Sequence, residues 1–324
     1  MRAIIAEHAG GPEVLEVHEV DEPVAGPGEL LVETGAVGLN FIEVYQRNGT
    51  YQVPFPFTPG GEAAGRVIAV GEGVTGYSVG DLITTSEGRK TYAEKFIVSA
   101  AGAMLVPAAL AETLSVETAA ALPLQGLTAH YLATSAAHVA DGDTVLVHAG
   151  AGGVGLLLTQ LLAVRGVRVI TTASTEDKRA KSLAAGASES IGYEGFAERV
   201  RELTGGEGVA AVFDGVGKDT FDESLASLRT RGEFVLFGGA SGQVPPFDLQ
   251  RLAAAGSVSI TRPSLTHFIQ DADERAWRYR ELFDALAAGT LNFEVGASFP
   301  LSEAAAAHAA LESRATTGKV VLVP

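Results

Sequence analysis

The chain has 324 residues, 47% of them hydrophobic and 19% charged, a composition that rules against long disorder and gives length enough for two globular domains. Its formal charge of −16, from 23 basic and 39 acidic residues with no basic run, argues against nucleic acid as a partner, because phosphate backbones are held by clustered Lys and Arg. Cysteine is absent, which removes disulfides, thiolate nucleophiles and Cys-ligated zinc. The densest apolar run, Leu156–Val164, is interrupted by Thr159 and Gln160 and stops at Arg165, short of the roughly 18 residues of a membrane span. The opening MRAIIAEHAG is too short in apolar residues for a signal peptide. A soluble, cytoplasmic protein with no membrane contact is therefore expected.

Residues 1–122 read as an all-β, barrel-like unit. Short β-like runs (Arg2–Ala6, Leu15–Val20, Glu29–Gly35, Arg66–Val70, Asp81–Thr84) alternate with the breaker-rich loops EPVAGPGEL, VPFPFTPGG and GEGVTGYSVGD. No self-similar period marks a repeat. From Asp143 the texture changes. Apolar runs at 144–148, 167–173, 189–191, 210–214, 233–238 and 257–262 alternate with helix-like segments at Gly153–Val164, Asp177–Ala185, Phe196–Leu203 and Thr220–Leu228. Such alternation predicts βαβ units and a doubly wound parallel sheet over 123–262. From about Pro263 a helix is expected around Glu274–Ala288. Runs at Leu291–Val295 and Lys319–Val323 then read as a segment, 263–324, that rejoins the first domain.

HAGAGGVG (148–155) sits between a predicted strand and a predicted helix, and Gly150, Gly152 and Gly155 fit G-x-G-x-x-G. In that setting Gly150 permits a tight turn, Gly152 lets the backbone approach a pyrophosphate, and Gly155 lets helix and sheet pack closely. The helix start, with Gly153 and Val154 in its first turn, offers free N–H groups and about half a positive charge. The alternative is a plain tight βα turn. The following strand ends Thr171-Thr172-Ala173-Ser174-Thr175 without the acid that binds a ribose 2′-hydroxyl, and Lys178 and Arg179 follow within one helical turn. Small hydroxyls plus a cation suit a 2′-phosphate, which favours NADPH over NADH. Glu176 and Asp177 read as helix N-terminal charges after a Ser174 or Thr175 cap.

Several stretches together carry a family resemblance: GLNFIEVYQRNGTY (38–51), PGGEAAGRVIAVGEGV (59–74), LPLQGLTAHYL (122–132), HAGAGGVG, FDGVG (213–217), LFGGASG (236–242), TRPSL (261–265) and LESRATTGK (311–319). The chain resembles the zinc-free quinone oxidoreductases, or zeta-crystallin-like group, of the medium-chain dehydrogenase/reductase superfamily. The resemblance implies a GroES-like β-rich catalytic domain, a Rossmann domain inserted before its last segment, and a homodimer. Where zinc enzymes of that superfamily carry Gly-His-Glu, this chain has Gly60-Gly61-Glu62, and its seven histidines are scattered without ligand spacing. A catalytic zinc is not expected. Without a Lewis acid to lower an alcohol's pKa, the easier chemistry is transfer of reducing equivalents from NADPH to an electrophilic acceptor such as a quinone or conjugated enone.

The resemblance also nominates residues, each with a blander alternative. Asn40 matches the position beside nicotinamide and substrate, or is a turn residue after a strand. Tyr45 and Tyr51 match substrate-pocket tyrosines, or simply pack. Gln125 and Thr128 match the segment that closes over the nicotinamide end, although many relatives carry Lys at position 125; Thr128 otherwise reads as an N-terminal helix hydroxyl. Lys178, Tyr193 and Arg314 match an adenosine-phosphate grip, against surface roles. Phe237, Gly238 and Ser241 lie at the carboxyl end of a strand, the edge that faces the ligand crevice in open α/β sheets. Ser241 is no hydrolase nucleophile, since position 243 is Gln. Trp277, Tyr279 and Phe283 read as core. SVSIT (257–261) is an edge strand able to pair with its copy in a dimer. The expected activity is NADPH-dependent, zinc-independent reduction of quinones or related conjugated carbonyls. The alternatives are an enone or alkenal double-bond reductase and, further off, a non-catalytic NADPH-binding, crystallin-like protein.

Overall fold

The computed structural model describes residues 1–313 and 316–324. The chain forms two compact units. The first comprises Met1–Leu124, Tyr279–Ala287 and Phe293–Pro324; the second comprises Gln125–Arg278 and Ala288–Asn292.

In the first unit β1 (Arg2–Ile5) and β2 (Glu16–Glu19) form an antiparallel pair. They are followed by β3 (Glu29–Leu39), β4 (Ala63–Val70), β5 (Leu82–Thr85), β6 (Lys95–Ser99) and β7 (Met104–Leu105). The second unit carries β8 (Thr144–Val147), β9 (Arg168–Thr172), β10 (Glu189–Ile191), β11 (Val209–Asp214), β12 (Leu228–Leu236) and β13 (Ser259–Thr261). β14 (Val295–Pro300) and β15 (Lys319–Val323) belong again to the first unit.

The larger sheet of the first unit runs β14-β15-β3-β4-β5-β7, with β6 also on β3. β3 alternates as a half-buried strand should, Leu30 and Val32 inside and Glu33 outside, over a core that includes Val37, Phe96, Val98 and Leu322. It runs past the expected end at Gly35. Gly35 and Gly38 serve there for close approach: a Cβ at 35 would stand 2.3 Å from Val116 Cγ2, and one at 38 would stand 2.1 Å from Glu62 Oε2.

Residues 1–122 are not all β, because the helices Phe41–Arg47 and Val116–Thr134 were missed. The first had a readable signal, Asn40 with Glu43 three residues on, a capping-box pattern. The second lacks a polar stripe: Ala119, Ala120, Ala121 and Leu122 are all fully buried, so no 3.6-residue periodicity marks it. Pro123 lies inside this helix. The backbone groups it frees are recovered elsewhere: Thr84 Oγ1 donates to the Ala119 carbonyl (2.6 Å), and Leu124 N–H donates to Glu62 Oε1 (2.6 Å).

The second unit is built on a six-stranded parallel sheet ordered β10-β9-β8-β11-β12-β13. Its central strand β11 is buried throughout, as a sheet covered on both faces requires. The chain leaves β8 toward β9 and β10, then crosses to β11 and continues outward. β8 and β11 therefore flank the topological switch point, where open α/β sheets bind ligands. Residues 263–278, expected to have left this domain, pack within it. Phe268 stacks on Tyr131 (4.3 Å), and the buried Arg278 guanidinium donates to Thr134 Oγ1 (3.1 Å) and Ser135 Oγ (3.0 Å). The final return to strands begins at β14, later than the expected Leu291.

Candidate active site

The glycine turn lies at the switch point of the second unit. After β8 the chain turns through Ala149 in the left-handed region (φ 52°), and Gly152 in extended geometry caps the helix Gly153–Ala163. Gly152 has no side chain to cap with, so the amides of Gly153, Val154 and Gly155 have neither an intrahelical acceptor nor a capping oxygen. A Cβ at Gly150 would stand 2.5 Å from Thr171 Cβ, and one at Gly155 would stand 2.3 Å from Ala149 O. These two glycines are demanded by packing, while the left-handed residue is Ala149 and not Gly150. A Cβ at Gly153 would meet Gln125 Oε1 at 1.9 Å. That amide oxygen is buried without a hydrogen-bond partner beside the first helical turn.

The same unit holds further predicted residues, of which Thr171, Thr172 and Tyr193 touch the turn. β9 ends in buried Thr171 and Thr172, and exposed Ser174 follows. Thr175 is the cap of the next helix, its Oγ1 accepting from Lys178 N (3.3 Å), and Glu176 and Asp177 are exposed in the first turn as helix charges. Lys178 is half-buried. Tyr193 Oη accepts the Ala149 N–H (3.1 Å), so this ring braces the turn directly. Phe237 and Gly238 both donate their N–H groups to Asp214 O (2.8 and 3.2 Å). The Ser241 hydroxyl donates to Val216 O (2.8 Å) and accepts from Asp219 N (3.0 Å), tying two strand-end loops together. Thr128 is buried in the interior of its helix and not at a helix N-terminus. Arg314 lies outside the described residues.

A buried polar chain beneath the turn escaped the sequence reading. His148 Nδ1 contacts Thr172 Oγ1 (2.8 Å) and its Nε2 contacts Ser224 Oγ (2.8 Å). Asp214 accepts from Val216 N (2.7 Å), Gly217 N (3.0 Å), Thr220 Oγ1 (2.7 Å) and Ser224 Oγ (3.3 Å). The ends of β8, β9 and β11 are thus joined by side chains. Desolvation lowers the His148 pKa, keeping the imidazole neutral, so one ring nitrogen donates and the other accepts.

In the first unit Asn40 caps the helix Phe41–Arg47 and is buried. Its Nδ2 donates to Glu62 Oε2 (2.8 Å), and Lys319 Nζ donates to both Asn40 Oδ1 (2.5 Å) and Glu62 Oε2 (2.5 Å). Glu43 Oε2 accepts the Asn40 backbone N–H (2.9 Å). Burial pushes the Glu43 carboxyl up to about 8, against the opposing pull of Lys319. A second buried chain passes from Tyr92 Oη to His308 Nε2 (3.0 Å), from His308 Nδ1 to Arg47 (3.1 Å), and from Arg47 to both oxygens of Glu312 (2.8 and 2.9 Å). The guanidinium can only donate, so His308 Nδ1 accepts; burial and Arg47 lower the imidazole's pKa to about 3. Tyr45 and Tyr51 meet edge to face (5.3 Å), with Tyr51 two-fifths exposed. Glu62, Lys319 and Glu43 were not singled out from the sequence. They lie far apart along the chain, and only the Asn40–Glu43 spacing was a local signal.

Known families match both halves of the chain. An alcohol dehydrogenase GroES-like domain matches residues 26–140, and a zinc-binding dehydrogenase domain matches 153–279. A mycobacterial protein, Rv1454c, solved in complex with NADPH, is 51% identical over the whole of both chains, with a TM-score of 0.96. Escherichia coli quinone oxidoreductase, also complexed with NADPH, is 39% identical over the whole of both chains, with a TM-score of 0.96. The chain belongs to the quinone oxidoreductase group of the medium-chain dehydrogenase/reductase superfamily. A 2-haloacrylate reductase from Burkholderia is similar too, at 38% identity over 99% of this chain and 98% of its own. The chain has no cysteine, position 61 is Gly, and among the described residues no group of three or more His, Asp or Glu could hold a metal ion.

Proposed function

We propose that the chain is an NADPH-dependent, zinc-independent reductase of quinones or related conjugated carbonyls. The observation that carries this reading is the uncapped helix start at Gly153, placed at the switch point of a parallel sheet whose second strand ends without an acid. The residues present fit the dinucleotide. Gly152 leaves three amides open to a diphosphate, Gln125 Oε1 is a buried oxygen in want of a donor, and Lys178 with Ser174 follows β9 where a 2′-phosphate would be met.

NADPH, when bound, supplies a hydride from its nicotinamide. The chain's own residues do the rest. The amides of Gly153, Val154 and Gly155 hold the diphosphate, Tyr193 props the turn through Ala149, and Phe237 and Gly238 shape the neighbouring strand end. Asn40 presents its amide in the first unit, with Tyr45 and Tyr51 as its aromatic neighbours along the chain. Lys178→Glu should weaken NADPH binding roughly 10- to 100-fold, the loss of one charge-assisted contact, while changing NADH binding little. Fluorescence titration with both coenzymes checks this; equal losses would remove Lys178 from the 2′-phosphate site.

A double-bond reductase remains the second reading, favoured by the similarity to a 2-haloacrylate reductase. Steady-state assays with a para-quinone beside an enone, both with NADPH, separate the two. A cytoplasmic homodimer belongs to the same proposal. β13 closes one end of the six-stranded sheet, and the outer edge that position gives it could pair with its copy. Sedimentation should give twice the chain mass, and a monomer would overturn that part.

A further inference from the structure

We propose that Glu62 and Lys319 are positioning residues that lock the carboxamide of Asn40 in one orientation, a role that rests on Asn40 addressing nicotinamide or acceptor as proposed above. Both side chains are fully buried, and each bonds Asn40 on the atom its chemistry dictates. An ammonium has three donors and no acceptor, so Lys319 must face the amide oxygen. A carboxylate only accepts, so Glu62 must face the amide nitrogen. A 180° flip of Asn40 would set NH2 against ammonium and oxygen against carboxylate. The ordinary ambiguity of an asparagine side chain is thereby removed by two opposite charges.

The arrangement costs more than a structural anchor needs. A buried ion pair returns little or no net stability, because desolvation of both ions offsets their attraction, and apolar replacements are often neutral. Here the pair is kept, and the surroundings are shaped for it. Gly38 leaves the space that Glu62 Oε2 fills, since a Cβ there would stand 2.1 Å from that oxygen. The other Glu62 oxygen holds Leu124 N–H (2.6 Å), freed from its own helix beside Pro123. Glu43 fixes the Asn40 backbone through its N–H. Backbone and both ends of the side chain of Asn40 are consequently restrained, the side chain also facing the Glu43 backbone N–H in a capping box, and the Nδ2 hydrogen that lies only weakly on Gly38 O (3.4 Å) keeps a set direction.

The test is a cycle between Asn40→Ala and the neutral pair Glu62→Gln/Lys319→Met, which leaves no lone buried charge. Three readings are taken: quinone turnover, the NADPH dissociation constant by fluorescence, and the Asn40 side-chain amide resonances in a 1H–15N spectrum, identified by their loss in Asn40→Ala. The double variant should remain folded and bind NADPH within about threefold, while kcat falls roughly 100-fold, the scale of a misplaced contact. Combining it with Asn40→Ala should then cost no more than about twofold beyond Asn40→Ala alone. The Asn40 amide resonances should shift or double as the flip is released. Fully additive losses, or unchanged amide resonances, would overturn the proposal. The spectrum is read without turnover, so a wild-type chain that reduced no quinone would sink the function reading and still leave the lock decided.

Discussion

Gly155→Ala should lose NADPH affinity by roughly 10- to 100-fold, the effect of forcing a methyl into a space that cannot yield. The new Cβ would stand 2.3 Å from Ala149 O and 2.9 Å from Gly150 Cα, both backbone atoms of the turn itself. Relief requires the helix Gly153–Ala163 to slide away from the turn. That motion takes the open amides of Gly153 and Val154 out of register with a diphosphate. Gly26→Ala makes the control: it lies outside the turn, and its Cβ would meet only the flexible carboxylate end of Glu29, at 3.2 Å from Oε2, so NADPH affinity should stay unchanged. Fluorescence titration of both variants, with circular dichroism to confirm the fold, provides the comparison. Equal affinities for Gly155→Ala and wild type would dissociate the turn from coenzyme binding.

Glu43→Gln should flatten the alkaline side of the stability curve. Burial raises the folded-state pKa of Glu43 from 4.5 to about 8, with Lys319 pulling it down and Glu62 pushing it up. Between these values the folded chain holds a proton that the unfolded chain has released, so stability falls as pH rises from about 4.5 to 8 and stays low above. The shift corresponds to a penalty on the order of 3–5 kcal/mol at the alkaline end. Glutamine retains an oxygen to accept the Asn40 N–H (2.9 Å in the native chain) and carries no charge to desolvate. Urea unfolding at pH 6, 7.5 and 9 should show the variant gaining on the wild type as pH rises. His148 and His308 are not shifted by Glu43 and cancel in the difference, while Tyr92, raised well above its ordinary value by burial and in part by Glu43, keeps its proton across this range in the native chain. Parallel curves would mean that Glu43 does not hold its proton.

The parts of the molecule legible in the sequence are those written in consecutive residues. The helix Phe196–Leu203 and the strands β10 and β15 stand at the bounds their patterning indicated, and the glycine turn sits between strand and helix as its spacing required. The acid-free tip of β9 could be read in five residues, as could the absence of thiols from the whole chain. Less legible were elements whose context is distant. The helix Val116–Thr134 carries a fully buried run at Ala119–Leu122, so its pattern mimics no amphipathic element, and Pro123 lies in its interior. Gly35 looked like a strand terminator and proved to be a point of close approach to Val116.

Composition and local spacing were sufficient for the class of fold and for the glycine turn between strand and helix, because each depends on short-range sterics and hydrogen-bond geometry that neighbouring residues set, while the family was legible as the resemblance of several stretches. Which polar groups meet in the interior was decided only when the strands assembled. Lys319 reaches Asn40 across 279 residues and Glu62 across 257, while His148 joins Thr172 to Ser224. No local propensity encodes such encounters. They arise from sheet register, and in a low-dielectric interior a charge must find its partner there or remain neutral.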